Sequence, residues 1–482
     1  MTTTDTSPAP SGATSPAPSQ GTNPEDTIQP QDLAEIQGII LRGYRLDFAR
    51  HFVLQILNPA AFKQFLAKLV PGSAGAGPLT ISTSEQWPNN QKPEYCLNMG
   101  FSWAGIQALN LPGATFGSSF DFTSFKAGAP ARANYVGDVG NSAPASWVSC
   151  LNPANASNAH AVLTLFANST EALESNTTAL QGMFTAGGAA QALTFGPSAN
   201  PGPPYFDAAA LPDDTIHFGY ADGISQPQVS GMTPPRPPDQ QPALPAWGVV
   251  LRNSAQAPYN FPAPSVLSQN GGFAAFRILE QDVAGFEQYT NNQPGIDPET
   301  LVAKFCGRWR NGNPLALCPV SAGDPLPAEQ LSNFNYANDP NGDVTPIGSH
   351  TRRGNPRGSE SFPSPVPDHR IVRRAMPYGP AYQQGSNDTT PRGLIGYFVG
   401  TSLEQQFEFI QKVWINGQNF AGNFQLPQGT DPVLGVNNPQ SSAFDFPPSG
   451  HVSGFEQFIT TKGGLYCFLP SIPALQWMSQ QP

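Results

Sequence analysis

Glycine and proline recur so densely along this chain that much of it has to be loop and turn: 47 glycines and 53 prolines stand among 482 residues. Proline removes a backbone donor, and glycine loses more freedom on ordering than any other residue. With about one position in five of this kind, long regular elements are interrupted often. Such loops need a scaffold to pack on. A hydrophobic content of 39% and an aromatic content of 10% supply one and argue against general disorder. At ~150 residues per domain the length fits three domains or two larger ones.

Charged residues make up only 12% of the chain, about half of the usual ~25%. Lys and Arg number 23 against 34 Asp and Glu, a net charge of -11. That balance disfavours nucleic acid and anionic membrane surfaces as partners, since both select basic footprints. No apolar run approaches the ~18 residues of a spanning helix. The N-terminus has neither the basic start nor the apolar stretch of a secretory signal, so the expected location is cytoplasmic. Cys96, Cys150, Cys306, Cys318 and Cys467 lie far apart without a C-x-x-C pair, which favours buried reduced thiols over disulfides or zinc.

Residues 1–30 hold almost no large apolar side chain and read as a disordered tail, with order beginning near Leu33. Ile39 to Arg42 reads as the start of a strand, and Phe48 to Ile56 as a strand or short helix. His160 to Phe166 has strand content. The segment after it reads as a helix, with Ser169 or Thr170 as N-cap and Leu173, Leu180 and Met183 on one face. The proline-dense residues 233–246 form neither helix nor central strand and divide the chain into halves, 31–232 and 247–482. The second half repeats the alternation. Gly271 to Leu279 and Gly393 to Gly400 read as strands, each followed by a helix, and Gly463 to Pro470 as a closing strand. In the second of these helices Thr401 and Glu404 have capping-box spacing, and Leu403, Phe407, Ile410 and Trp414 recur at helical period. The pattern predicts an α+β fold of two sheets, each with helices on one face.

Chemistry can sit in few places. The six histidines, His51, His160, His217, His350, His369 and His451, form no H-E-x-x-H or Cys/His group; a haem, needing one protein ligand, remains compatible. Residues 350–374 carry Arg352, Arg353, Arg357, Arg370, Arg373 and Arg374 and no lysine, where uniform spreading would put about one basic residue. Such a cluster is either a solvated basic loop or a site for planar anions. In His217 to Pro227, Gly219 and Gly223 bracket Asp222 as G-x-x-D-G. That is either a plain Asp-Gly turn or an acid/base carboxylate held close to a cofactor.

These segments together resemble the dye-decolorizing peroxidase family of haem enzymes. GYADGISQP matches its G-x-x-D-G signature. Phe334 to Arg357 is similar to the segment carrying the haem-ligating histidine, and His369 to Pro380 to the segment with the distal arginine. Phe125 to Asp138, Lys304 to Leu315, the strand and helix from Arg392 and the last strand also fit, so the resemblance runs from about Ile36 to Leu475. The long loops look like those of the larger subgroup.

The resemblance implies two ferredoxin-like halves with haem b between them. It makes His350 the iron ligand, Asp222 the distal acid/base and Arg373 the distal arginine, chosen over Arg374 because it lies four residues before Pro377. His369 competes as ligand. Gly223, Ile224, Ser225, Arg352, His217, Phe407 and Leu394 would line the haem, with other arginines of the cluster on its propionates. The substrates implied are hydrogen peroxide and aromatic small molecules such as dyes and phenols, with the protein a monomer or homodimer. A haem carrier or sensor with little turnover is the alternative. There are two departures from the family pattern. Thr345-Pro346 stands where many relatives have Cys-Pro, and Gly396 stands where a bulky aromatic is common over the distal face. The second predicts a roomier distal pocket.

Overall fold

Four strands of the first half, β1 (Phe48–Ile56), β2 (Tyr95–Phe101), β3 (Ala161–Ala167) and β4 (Ala190–Ala192), pair antiparallel in the order β4-β1-β3-β2. A short strand, β5 (Phe206–Ala209), also pairs with β1. The second half supplies β6 (Gly272–Gln281), β7 (Val372–Tyr378) and β8 (Gly393–Gly400). A separate hairpin of β9 (Ala443–Phe446) and β10 (Gly450–Ser453) follows, and then β11 (Ile459–Leu469). The order β11-β6-β8-β7 repeats that of the first half, and both have the fourth, first, third and second strands side by side, as ferredoxin-like units do. This computed structural model describes residues 26–116, 122–232, 241–252, 257, 262–357, 369–385, 388–418, 420, 429–447 and 450–482.

Local chemistry explains the main elements. All seven residues of β3 are buried. Ser169 then caps the helix Thr170–Thr185 by accepting from the Ala172 N–H at 3.1 Å, and Leu173, Leu180, Met183 and Phe184 turn inward. In the second half Asp282 caps the helix Val283–Asn291 through the Gly285 N–H at 2.9 Å.

The sheets differ from the expectation of two separate ones. The halves join at β2 and β11 through the single pair Phe101↔Phe468. Their inner faces then enclose a common interior. His51 on β1 lies 5.4 Å from the Phe276 ring on β6, and Thr164 on β3 is 2.6 Å from the Tyr397 hydroxyl on β8. At the far side Phe206 of β5 meets Tyr378 of β7 at 5.0 Å. Helices occupy the outer faces, so each sheet carries them on one face as expected.

Three smaller expectations also change. Gly38–Leu41 is a helical turn, not a strand. Its side chains are all buried, and continuous burial does not distinguish the two periods. Residues 1–25 of the expected tail and 233–240 of the crossover lie outside the described residues. Within the tail, Ile28 is already buried and its N–H donates to the Ser230 carbonyl at 2.8 Å, so packing begins before Leu33. The helix after β8 winds as π-helix over Leu403–Glu408 and Ile410–Ile415. Ser402, not Thr401, caps it, and Glu404 turns away to the Ser124 N–H at 2.7 Å.

One buried side chain reinforces the narrow seam. Gln37 donates to the carbonyls of Met99 on β2 and Pro470 after β11, both at 2.8 Å, and accepts from the Met99 N–H at 2.9 Å. Leucine there would strand three buried backbone groups. Gln37→Leu is expected to lower stability by about 3 kcal/mol, which urea unfolding followed by tryptophan fluorescence measures.

The π-helix is docked on the first half by a cluster of two carboxylates and one cation. Glu408 accepts from Arg132 at 2.6 and 3.0 Å, from Ser124 Oγ at 2.9 Å and from the Tyr466 hydroxyl at 2.9 Å. Glu404 shares Ser124 but has no cation. Burial first, and then the charge of Glu408, pushes its carboxyl up from 4.5 to about 7 against the Ser124 hydrogen bonds. The folded protein therefore keeps a proton that the unfolded chain has released. The contribution of Glu404 to stability falls as pH rises from about 4.5 to about 7 and levels off above. Glu404→Gln is expected to remove this slope and to be more stable than the parent at pH 8 by roughly 3 kcal/mol, with little difference at pH 4. Unfolding curves at the two pH values check it.

Candidate active site

His350 opens the helix His350–Gly354, directly after its N-cap Ser349. Its Nδ1 lies 2.8 Å from Oδ2 of Asp431, which is fully buried. The other Asp431 oxygen accepts from the N–H groups of Val433 and Leu434 at 2.8 and 2.9 Å. Burial alone would raise this carboxyl. The charge and hydrogen bond of His350, the Leu434 N–H and the charge of Arg353 outweigh it and hold the group below the ordinary aspartate range. An ionised Asp431 fixes the proton on Nδ1. That leaves Nε2, which has no hydrogen-bond partner among the described residues, as the ring nitrogen with an open lone pair.

Asp222 sits on the loop after β5. Gly223 has φ +72, in the left-handed region, and its N–H closes onto Asp222 Oδ1 at 2.6 Å. Arg373 on β7 fastens the same loop. Its Nη2 donates to the carbonyls of Ile224 and Ser225 at 2.9 and 3.0 Å, and its backbone N–H to Gln226 Oε1 at 3.0 Å. Both side chains expose surface to solvent, yet burial is the largest influence on the titration of each. The two observations agree if that surface opens into a recess with protein on all sides. Burial raises Asp222, with the Gly223 N–H, Arg373 and Arg45 opposing and Asp214 adding. Burial also lowers Arg373, with Asp222 opposing.

Strand register shows which face the recess uses. Arg373 pairs with Phe398, Ala375 with Gly396 and Pro377 with Leu394, so these side chains share one face of β7 and β8. Arg374 faces the opposite way and donates to the Ile39 carbonyl at 3.0 Å. A Cβ on Gly396 would collide with the Arg374 carbonyl and the Ala375 Cα. Close backbone approach therefore requires this glycine, and the side-chain direction there is blocked, contrary to the simple expectation of extra pocket space. Tyr397 points into the barrel and does not fill the recess.

A second arginine group gathers on Ser225. Arg308 Nη2 and Arg357 Nη2 reach its Oγ at 2.7 and 3.2 Å, beside the carbonyl held by Arg373. Burial first, then the charges of Arg357 and Arg373, pulls Arg308 down to about 10.

The structure thus brings Asp222, Gly223, Ile224, Ser225 and Arg373 together and puts Leu394 on the same strand face. Other expected site residues are engaged in contacts of their own. The guanidinium of Arg352 is buried against Asp339 at 3.0 Å and the Thr345 carbonyl at 2.6 Å, which makes it a structural brace rather than a cofactor contact. His217 is buried with Nε2 2.8 Å from the Tyr378 carbonyl. Phe407 is core, packed on Phe398 and Tyr466. His369 stacks on Phe409 at 3.6 Å with Nδ1 on the Gln405 carbonyl, so it is a packed ring rather than an open ligand. Asp431 and Arg308 were not found from sequence. Asp431-Pro432 signals a turn, but nothing local points to its partner 81 residues earlier.

The family model described as the DyP dimeric alpha+beta barrel domain matches residues 35–194. A dye-decolorizing peroxidase of Mycena epipterygia is 30% identical over an alignment covering 92% of this chain and 86% of that protein. The chain belongs to the dye-decolorizing peroxidase family. It is accordingly an oxidoreductase of the peroxidase type. Among solved structures, a fungal DyP-type peroxidase from Auricularia auricula-judae superimposes with a TM-score of 0.77 at 25% identity, covering 93% of this chain and 99% of that one. A dye-decolorizing peroxidase in complex with 2,6-dimethoxyphenol gives 0.76 at 26% identity over the same shares. Dye-decolorizing peroxidases are haem enzymes, and the donor set here suits one. It offers a histidine with a fixed proton and an open nitrogen, a recess with a carboxylate and a guanidinium, and buried arginines beside it. No helix among the described residues is long and apolar enough to cross a membrane.

Proposed function

We propose that this protein is a haem b peroxidase that reduces hydrogen peroxide and oxidises bulky organic substrates such as dyes and phenols. The observation that carries the reading is the His350–Asp431 pair, in which a buried carboxylate orients the ring and leaves Nε2 to ligate iron. When bound, haem supplies the redox chemistry, drawing oxidising equivalents from peroxide and passing them to the organic substrate.

The remaining chemistry falls to side chains. Asp222 takes the proton from one peroxide oxygen and returns it to the other, which leaves as water. It can do so only when ionised, and Arg373 favours that form. The same guanidinium offsets negative charge developing as the O–O bond lengthens. Arg308 and Arg357 would hold the haem propionates. Among the described residues Arg308 meets only neutral hydrogen-bond partners, Ser225 Oγ and two carbonyls, so its charge is available to an anion. A carrier would need neither Asp222 nor Arg373.

Haem-loaded protein is expected to change its Soret band within seconds of one equivalent of hydrogen peroxide and to recover it when a dye is added. A band that stays in place or only bleaches would instead indicate a carrier. Asp222→Asn is expected to keep haem and slow the reaction with peroxide ~100-fold or more. In the parent that rate should fall on the acid side at a pH above the usual aspartate value of ~3.9, because burial raises Asp222 and protonation removes the base. Stopped-flow rates against pH test both points. His350→Ala is expected to lose haem or its axial ligand field, and an unchanged haem spectrum would redirect the assignment to His369.

A further inference from the structure

We infer that Arg353 is the positioning residue that holds His350 and Asp431 together. This rests on His350 being the iron ligand. Arg353 lies one helical turn after His350 and is fully buried. Its guanidinium reaches three stretches of chain. Nε donates to the Gly348 carbonyl, two residues before His350, at 3.0 Å. Nη1 donates to the carbonyls of Trp414 and Gly417, at the end of the π-helix, at 2.6 and 2.9 Å. Nη2 donates to the Gly429 carbonyl, two residues before Asp431, at 2.8 Å. The Asp431 N–H in turn donates to the Ile415 carbonyl at 2.8 Å, so the same helix end anchors the carboxylate from its other side.

One planar group therefore fixes the histidine's helix, the aspartate's loop and the element between them. Gly348 and Gly429 are 81 residues apart in sequence, as are His350 and Asp431, and among the described residues no strand ladder links the two segments. The fork of a guanidinium suits the task, because its five donors lie in one plane at fixed angles. A lysine ammonium keeps the charge and offers three donors at one point, so it cannot span the three stretches.

The consequence is chemical as well as structural. A short hydrogen bond from Nδ1–H to an ionised carboxylate makes the ring a more electron-rich ligand, which favours the oxidised metal. If Arg353 sets the approach of Asp431, altering it should lengthen that bond without touching either partner.

The test uses Arg353→Lys, which retains the charge, and Gly429→Ala. In the second variant the new Cβ would lie 2.6 Å from the Ala443 carbonyl and so must shift the carbonyl that Arg353 holds. The first readout needs no haem. In ¹⁵N-histidine-labelled apoprotein the His350 Nδ1–H resonance, assigned by its loss in His350→Ala, is expected to move upfield in both variants. The second readout is on the haem-loaded protein. The iron–histidine stretch is expected to drop in frequency and the ferric/ferrous potential to rise, while the Soret band shows that haem is still bound. A folded Arg353→Lys protein with parental resonance, stretch and potential would overturn the inference. Should that variant fail to fold, the same readouts in Gly429→Ala decide. Failure of the ligand assignment is separately visible, as an iron–histidine stretch that survives in His350→Ala.

Discussion

In the loops of the second half, backbone carbonyls find their donors in arginine side chains. Arg352 holds the Asp339 and Thr345 carbonyls, Arg357 those of Ser332 and Phe334, Arg308 those of Gly312 and Leu331, and Arg392 that of Pro380. A chain this rich in proline and glycine has many buried carbonyls that no strand or helix can satisfy, and leaving one bare costs about 1–3 kcal/mol. A guanidinium satisfies several at once. The cost of burying its charge is offset by the dipoles that converge on it, and at Arg352 also by Asp339.

The same device shapes the chemistry. Asp222 belongs to a loop in which Ile224 and Ser225 are fastened by Arg373, Arg308 and Arg357, and it is the carboxylate whose charge acts directly on Arg373. Arg353 likewise fastens the segments that bear His350 and Asp431. Scaffold and site are thus made of one kind of contact. The charge of Arg373 beside Asp222 follows from how the loop is held, and it opposes the rise that burial causes in that carboxyl.

The sequence made some of this legible and hid the rest for physical reasons. The helix after β3 could be read, with its Ser169 cap, because apolar period and capping chemistry are local. Strand alternation sends the guanidiniums of Arg373 and Arg374 to opposite faces, and it is Arg373 that reaches the Asp222 loop. The joining of the sheets rests on one residue pair and on a glutamine, neither of which leaves a pattern. Asp431 is set beside His350 by distant chain. Arg352 belonged to a cluster read as an anion site, yet it serves carbonyls, and side-chain identity alone does not say which acceptor a guanidinium meets. Gly396 looked like removed bulk, whereas it marks a place where two backbones nearly touch.

A carbonyl is the same whichever residue carries it. Fastening a loop by its carbonyls therefore makes no demand on the side chains along that loop, so long as the arginine stays and the path is kept. Loops held in this way are free to drift, changing their outward chemistry while their course is preserved. That offers one route by which a protein can share a fold at a TM-score of 0.76 with a relative only 26% identical to it. It also implies that the arginine-held loops could be rewritten for new substrates without disturbing the strands that carry them.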